Sequence, residues 1–337
     1  MTTERRPTAR ANHLAIWALL LLALVAALPA LAALPARARA NAGSWHLNRG
    51  LAGGEPAELE RATAQLADVS ESPVVGQRAW RGLGLAAMTA ARDDDALAAW
   101  QQIDGGAAEV TLWGYQAESA GDWAAARDWH RLAVRLDPHD GDAWYEVARA
   151  SAQLGDAAAT EAYQQALAAA RHARFGPSNI LTRLGELAKN AAPPDWAAAL
   201  SHFEDALRRD AFIVADDRLQ AHLGRAEALD KLGQTAAALD AYRQAAAAWP
   251  NHYWANVHSG RLSWYVAGDA TQATAFLNHA ITLQPDDKWA YLFLGGIYAE
   301  AGQADRAIPL LQRVLELDPG DATARQQLDQ LMGGDGP

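Results

Sequence analysis

The sequence predicts an all-α solenoid, a stack of helical hairpins preceded by one transmembrane helix, and three observations predict it. The first is the stretch KWAYLFLGGIYAEAGQADRAIPLLQRVLELDPGD, residues 288–321. Tyr291, Leu294, Gly295 and Tyr298 fall on one face of a helix that Gly302 closes. Ala307, Leu311 and Val314 form the apolar stripe of a second helix that stops before Pro319. The second is a period: Gly233, Gly268 and Gly302 lie 35 and then 34 residues apart, and Pro250, Pro285 and Pro319 repeat those intervals. The third is the run from Leu14 to Leu34, 21 residues without a polar side chain.

Taken in order, residues 1–13 form a short cytoplasmic tail and 14–34 a signal anchor. About 20 apolar residues cross a ~30 Å hydrocarbon core, whereas a cleaved signal has an apolar region of only ~7 to 15. Arg5, Arg6 and Arg10 precede the run and Arg37 and Arg39 follow it, which places the N-terminus inside and the body outside the cytoplasm. The alternative is a secreted chain cut after Ala38-Arg39-Ala40, a small-x-small site. Residues 35–76 are either a linker or a degenerate capping hairpin, with Pro56 to Leu66 as one of its short helices.

Seven hairpins follow, at 77–106, 107–140, 141–173, 179–213, 219–252, 254–287 and 288–321. Trp80, Leu83, Gly84 and Ala87 open the first, with Ala96, Trp100 and Ile103 on its second helix. The next carries Trp113, Gly114, Gly121, Ala126 and His130. Trp144, Ala148, Gly155 and Tyr163 mark the third, and Gly185, Ala199 and Phe203 the fourth. Its link to the fifth, Arg208 to Asp217, is longer than the others. The fifth and sixth carry Ala226, Ala238 and Tyr242, then Ala273 and Leu277. Residues 322–337 are a capping helix and tail, with an apolar edge at Leu328, Leu331 and Met332.

The order W-x2-L-G-x2-Y, then A-x3-F, then P resembles the tetratricopeptide repeat, with Tyr291 in place of the Trp and Leu311 in place of the Phe in the last hairpin. The resemblance implies a right-handed solenoid. Gly84, Gly114, Ala148, Gly185, Ala226 and Gly295 would sit where helices cross, and Trp100, Tyr163, Phe203, Tyr242, Leu277 and Leu311 would fill the gaps between them.

Composition narrows the function. Residues 41–337 carry 24 bases against 39 acids, and such an acidic body lacks the basic surface that nucleic acid requires. Thirteen Trp and half the residues apolar argue for a packed chain, and the absence of Cys removes thiolate catalysis and Cys-ligated zinc. Asp93-Asp94-Asp95 sits where a helix begins and reads as complement to the helix dipole rather than as a metal cluster. His130 occupies a packing slot and reads as core. There is no phosphate loop and no nucleophile turn, so no metal, cofactor or catalytic residue is assigned and an enzyme ranks third among the readings.

In proteins with these repeats the first helices line a concave surface that meets a protein or peptide. Carried over, the candidates are Tyr115, Tyr145, Arg149, Glu186, Lys189, Glu227, Lys231, His258, Tyr265 and Trp289. The Lys and Asn set with which chaperone-binding members clamp a C-terminal carboxylate is not reproduced. The leading reading is a membrane-anchored scaffold for a protein or peptide partner, of a kind that cell-envelope or surface-polymer assembly would use. An extracytoplasmic glycan or small-ligand module is the alternative.

Overall fold

The computed structural model describes residues 32–53, 55–169 and 171–333. Among them are seventeen helices and no strand, only an isolated parallel bridge between Asp140 and Arg171. The chain divides after Pro138 into two compact units. Of the apolar run 14–34 only the last three residues are described; the transmembrane helix expected there lies outside the described residues, and among those no helix is long and apolar enough to cross a membrane.

The first unit holds α1 (Leu34–Gly53), α2 (Pro56–Ala67), α3 (Gly76–Thr89), α4 (Asp93–Trp100), α5 (Gly106–Ser119) and α6 (Trp123–Leu136). Residues 35–76, open between linker and hairpin in the sequence, thus contain two helices. They pair through small residues: a Cβ on Gly43 would stand 2.7 Å from Leu66 Cγ, and one on Gly50 equally close to Leu59 Cδ2. Ala40, Leu66, Val69 and Ala79 close one core cluster, and Leu47, Leu59, Ala62 and Ala86 a second.

The second unit holds α7 (Gly141–Gln153), α8 (Ala158–Ala168), α9 (Pro177–Lys189), α10 (Trp196–Arg209), α11 (Asp216–Lys231), α12 (Thr235–Ala248), α13 (Tyr253–Tyr265), α14 (Ala270–Leu283), α15 (Lys288–Glu300), α16 (Ala304–Leu317) and α17 (Ala322–Gly333). Odd-numbered helices from α7 to α15 are the first members of hairpins and even-numbered ones the second. First helices of neighbouring hairpins lie against each other, α9 on α11 and α13 on α15, and α17 covers α15 and α16.

Five of the hairpins turn in the same way. Gly121, Gly155, Gly233, Gly268 and Gly302 adopt φ between 63° and 78°, the left-handed region open to a residue without a Cβ. The amide after the turn then reaches back to the first helix, as Gln234 N does to Leu229 O at 2.9 Å. Ala91 holds the equivalent place between α3 and α4 at φ 53°, with Arg92 N on Ala87 O at 2.9 Å. Second helices start at Asp122, Asp195 and Asp269, whose carboxylates accept from the backbone N–H three residues on, at 2.9–3.0 Å.

Small residues of first helices face the large side chains of their partners. A Cβ on Gly84 would meet Trp100, one on Gly185 would meet Phe203 at 2.7 Å, and one on Gly260 would meet Leu277 at 2.6 Å. His130 fills that slot beneath Gly114 and is fully buried, with Nε2 3.0 Å from Glu118 Oε1. The long link between α10 and α11 is held by Asn179, whose Oδ1 accepts from Ile213 N at 2.9 Å and whose Nδ2 donates to Val214 O at 2.9 Å. Asp142 does the same one hairpin earlier, accepting from the amides of Ala173, Arg174 and Phe175.

Candidate protein-binding surface

Nine of the ten candidate groove residues lie on first helices of the second unit; Tyr115 belongs to α5 of the first, half-buried with its ring edge-on to His130 at 5.4 Å. The nine do not behave alike, because the spacing that puts a side chain on the inner face of one first helix also puts it within reach of the next.

Tyr145 is 3% exposed, stacked on Phe175 at 3.7 Å and edge-on to Tyr163 at 5.3 Å. Burial raises its phenol above the usual tyrosine range, against the pull of Arg183, which donates from Nε to the Tyr145 hydroxyl at 3.2 Å. Arg183 also pairs through Nη2 with Asp217 at 2.6 Å, and Asp217 accepts from Asn179 Nδ2 at 2.9 Å. A cleft of about 240 Å³ opens beside this group, lined by Tyr145, Arg149, Tyr163, Arg183, Glu186 and Asn190 among others. Its volume falls below the ~300–1,000 Å³ of small-molecule sites and suits one side chain of a larger partner.

Further along, Lys189 bridges Glu186 at 3.4 Å on its own helix and Glu227 at 2.9 Å on α11. Burial alone would depress its ammonium, but the bonds to Glu227 and Glu186 hold it above the ordinary lysine value. Asp230 on α11 pairs with Arg261 on α13 at 2.5 Å. Glu300 on α15 accepts from Trp264 Nε1 at 2.6 Å and from the Tyr265 hydroxyl at 3.2 Å. The contacts of Lys189 with Glu227, of Asp230 with Arg261 and of Glu300 with Trp264 and Tyr265 are cross-braces between repeats.

Arg149 is half-buried and donates to the buried Glu146 at 2.7 Å. His258 is largely covered, stacked between Tyr242 at 4.7 Å and Trp254 at 5.6 Å, and burial pushes its imidazole down to about 4. What remains open to a partner is Lys231, Tyr265 at 54% exposure and Trp289 at 39%, with Trp254 at 40% one repeat before Trp289. Trp289 stacks on Phe293, and Lys288 Nζ sits 5.0 Å from its ring centre.

Sequence reading missed Arg183, Asp217, Asp230, Arg261, Trp254 and Glu300. Five of them pair across 31 to 36 residues, about one repeat, between neighbouring first helices, a spacing the sequence carries without saying which positions meet.

Comparison with known proteins agrees with this architecture. Residues 195–253 and 267–331 each match the tetratricopeptide repeat family. Over 219 residues, 61% of its length, the chain is 30% identical to cellulose synthase 2 operon protein C of Komagataeibacter xylinus, and it spans only 16% of that protein. Among solved structures it resembles PilW, described as a widely conserved type IV pilus biogenesis factor. The identity is 18% and the TM-score 0.52, covering 67% of this chain and 99% of that one. It resembles pilF of Pseudomonas aeruginosa to the same TM-score, at 16% identity, covering 69% and 97%. Both likenesses are of fold. The helical hairpins of the second unit, at 195–253 and 267–331, are therefore tetratricopeptide repeats.

Proposed function

We propose that the chain is a membrane-anchored scaffold whose first helices hold an extended segment of a protein partner outside the cytoplasm. The carrying observation is the contrast along one face. Among the charged candidates Glu186, Lys189 and Glu227 form a bridge between neighbouring repeats, while Trp254, Lys231, Tyr265 and Trp289 stay open to water. Exposed aromatics in a rigid setting are common anchors at interfaces.

The anchor reading rests on the length of the apolar run and gains support from α1. Cleavage after Ala40 would remove the first turns of that helix together with Ala40 itself, which is fully buried against Leu66, Val69 and Ala79. Service in envelope or surface-polymer assembly is suggested by the names of the relatives, a pilus biogenesis factor and a cellulose synthase operon protein.

Site-specific photo-crosslinking of the full chain in native membranes tests the scaffold reading. A crosslinker at Tyr265 or Trp289 is expected to trap a protein adduct, and one at the exposed Gln312 of α16 is not. Equal labelling at all three positions, or none, would overturn it.

A further inference from the structure

The outward face of α1 is unlike the rest of this acidic chain. The helix, LPARARANAGSWHLNRGLAG, contains Arg37, Arg39 and Arg49 and no carboxylate. Its inner face, Ala40, Gly43, Leu47 and Gly50, is used up against α2 and α3. The opposite face is solvent-exposed, and at 100° per residue it sorts into an apolar line of Leu34, Ala38, Trp45 and Ala52. Arg37, Asn41 and Asn48 flank it on one side and Arg49 on the other. Leu34 is 54% and Trp45 53% exposed, large values for such side chains. Arg49 lies 4.9 Å from the Trp45 ring centre, and its ion pair with Glu55 is at 4.0 Å, the outer limit of such a contact. Arg39 is turned to the side and pairs with Asp68.

We propose that this face of α1 lies in the headgroup layer of an anionic membrane. The inference rests in part on the reading of residues 14–34 as an anchor, since that run ends where α1 begins and fixes the helix beside the bilayer. The composition is that of an interfacial helix: apolar and Trp side chains at the acyl boundary, Arg at the phosphates, no acid to be repelled. Two Arg and one Trp give weak binding alone. Tethering makes weak binding sufficient, because direct continuation from the anchor holds the helix at a high effective concentration near the surface. A protein partner would call for a closer-packed apolar patch than Ala38 and Ala52 provide. The consequence is orientation: with α1 on the lipid, the first unit is laid against the bilayer rather than swinging on its anchor.

The chain has no cysteine, so single labels are unambiguous. Full-length Ala38→Cys, Ala52→Cys and, as a control, Gln312→Cys would each carry a fluorophore. The proteins would be reconstituted into vesicles of phosphatidylcholine with or without phosphatidylglycerol. With phosphatidylglycerol the labels at 38 and 52 are expected to be quenched by lipids brominated near the headgroup and shielded from aqueous iodide, while the label at 312 stays open to iodide. High salt, or Arg37→Gln with Arg49→Gln, should shift the equilibrium about 30-fold toward the water-exposed state. If the labels at 38 and 52 are as open to iodide as that at 312, the inference is wrong. A chain stripped from the vesicles by alkaline washing overturns the anchor reading instead, and the same labels then judge α1 with vesicles simply added.

Discussion

The Phe203 ring lies against Gly224 so closely that a Cβ there would stand 2.3 Å from its Cζ. On the other side a Cβ on Gly185 would stand 2.7 Å from Cε1, so the ring is held between α9 and α11 and has nowhere to turn. Gly224→Ala is therefore expected to lower stability by about 1–3 kcal/mol through overpacking. Gly295→Ala should cost less, because a Cβ there would meet Leu311 at 3.0 Å, and a leucine tip can shift. Denaturant midpoints for the two variants check the order, and equal values would show that Phe203 is not confined.

Ala91 takes a left-handed conformation at a turn where five other hairpins use Gly. Its Cβ costs roughly 1–2 kcal/mol in that region, partly offset by the extra unfolded-state freedom of Gly. Ala91→Gly should stabilise the protein by about 0.5–1 kcal/mol, read as a rise in thermal midpoint.

Asp217 is 4% exposed at its side chain and accepts from both Arg183 and Asn179. Asp217→Ala removes one acceptor from each, leaving Arg183 with the Tyr145 hydroxyl and Asn179 with Val214 O. The cost should be about 2–3 kcal/mol, below the ~3–5 of a fully buried pair because the Arg183 side chain is 37% exposed and recovers water. Loss of the Arg183 bridge should also loosen α9 from α11, which hydrogen exchange of their amides would report.

His258 makes stability depend on pH. Its folded pKa is lowered from 6.5 to about 4, chiefly by burial and next by Arg261, with Asp230, Glu227 and Lys231 also facing it. Above pH 6.5 neither state is protonated and the contribution is complete. Between 6.5 and about 4 the unfolded chain takes up a proton and the folded one does not, so stability falls as pH falls, by about 3 kcal/mol in total. Burial lowers His202, His222 and His252 too, adding in the same direction. His258→Phe keeps the stack between Tyr242 and Trp254 and orphans nothing, since Nδ1 has no hydrogen-bond partner. Denaturation midpoints from pH 7.5 to 4.5 should show a shallower slope in this variant.

Tyr265→Ala with Trp289→Ala should abolish partner capture while changing stability by less than about 1 kcal/mol, because both rings are exposed. Tyr145→Ala, by contrast, should destabilise by about 3 kcal/mol as a core truncation. Partner binding and unfolding measured on both variants separate the two roles.

The sequence by itself determined the hairpins. The 34- and 35-residue intervals of Gly and Pro, and the small-against-large pairing of Gly185 with Phe203 or Gly295 with Leu311, are local rules of turn geometry and helix packing. It left 35–76 open because Gly53-Gly54 sits between two short apolar patterns that a linker could also show. Only the tertiary structure decided which groove positions were free. Tyr145, Lys189, Glu227 and Tyr265 all lie on first helices of their hairpins. Yet Tyr145 is sealed under Phe175, Lys189 and Glu227 bond each other, and Tyr265 stands open. The physical reason is that a side chain's exposure depends on its neighbour one repeat away. A motif that specifies packing positions leaves that neighbour unspecified.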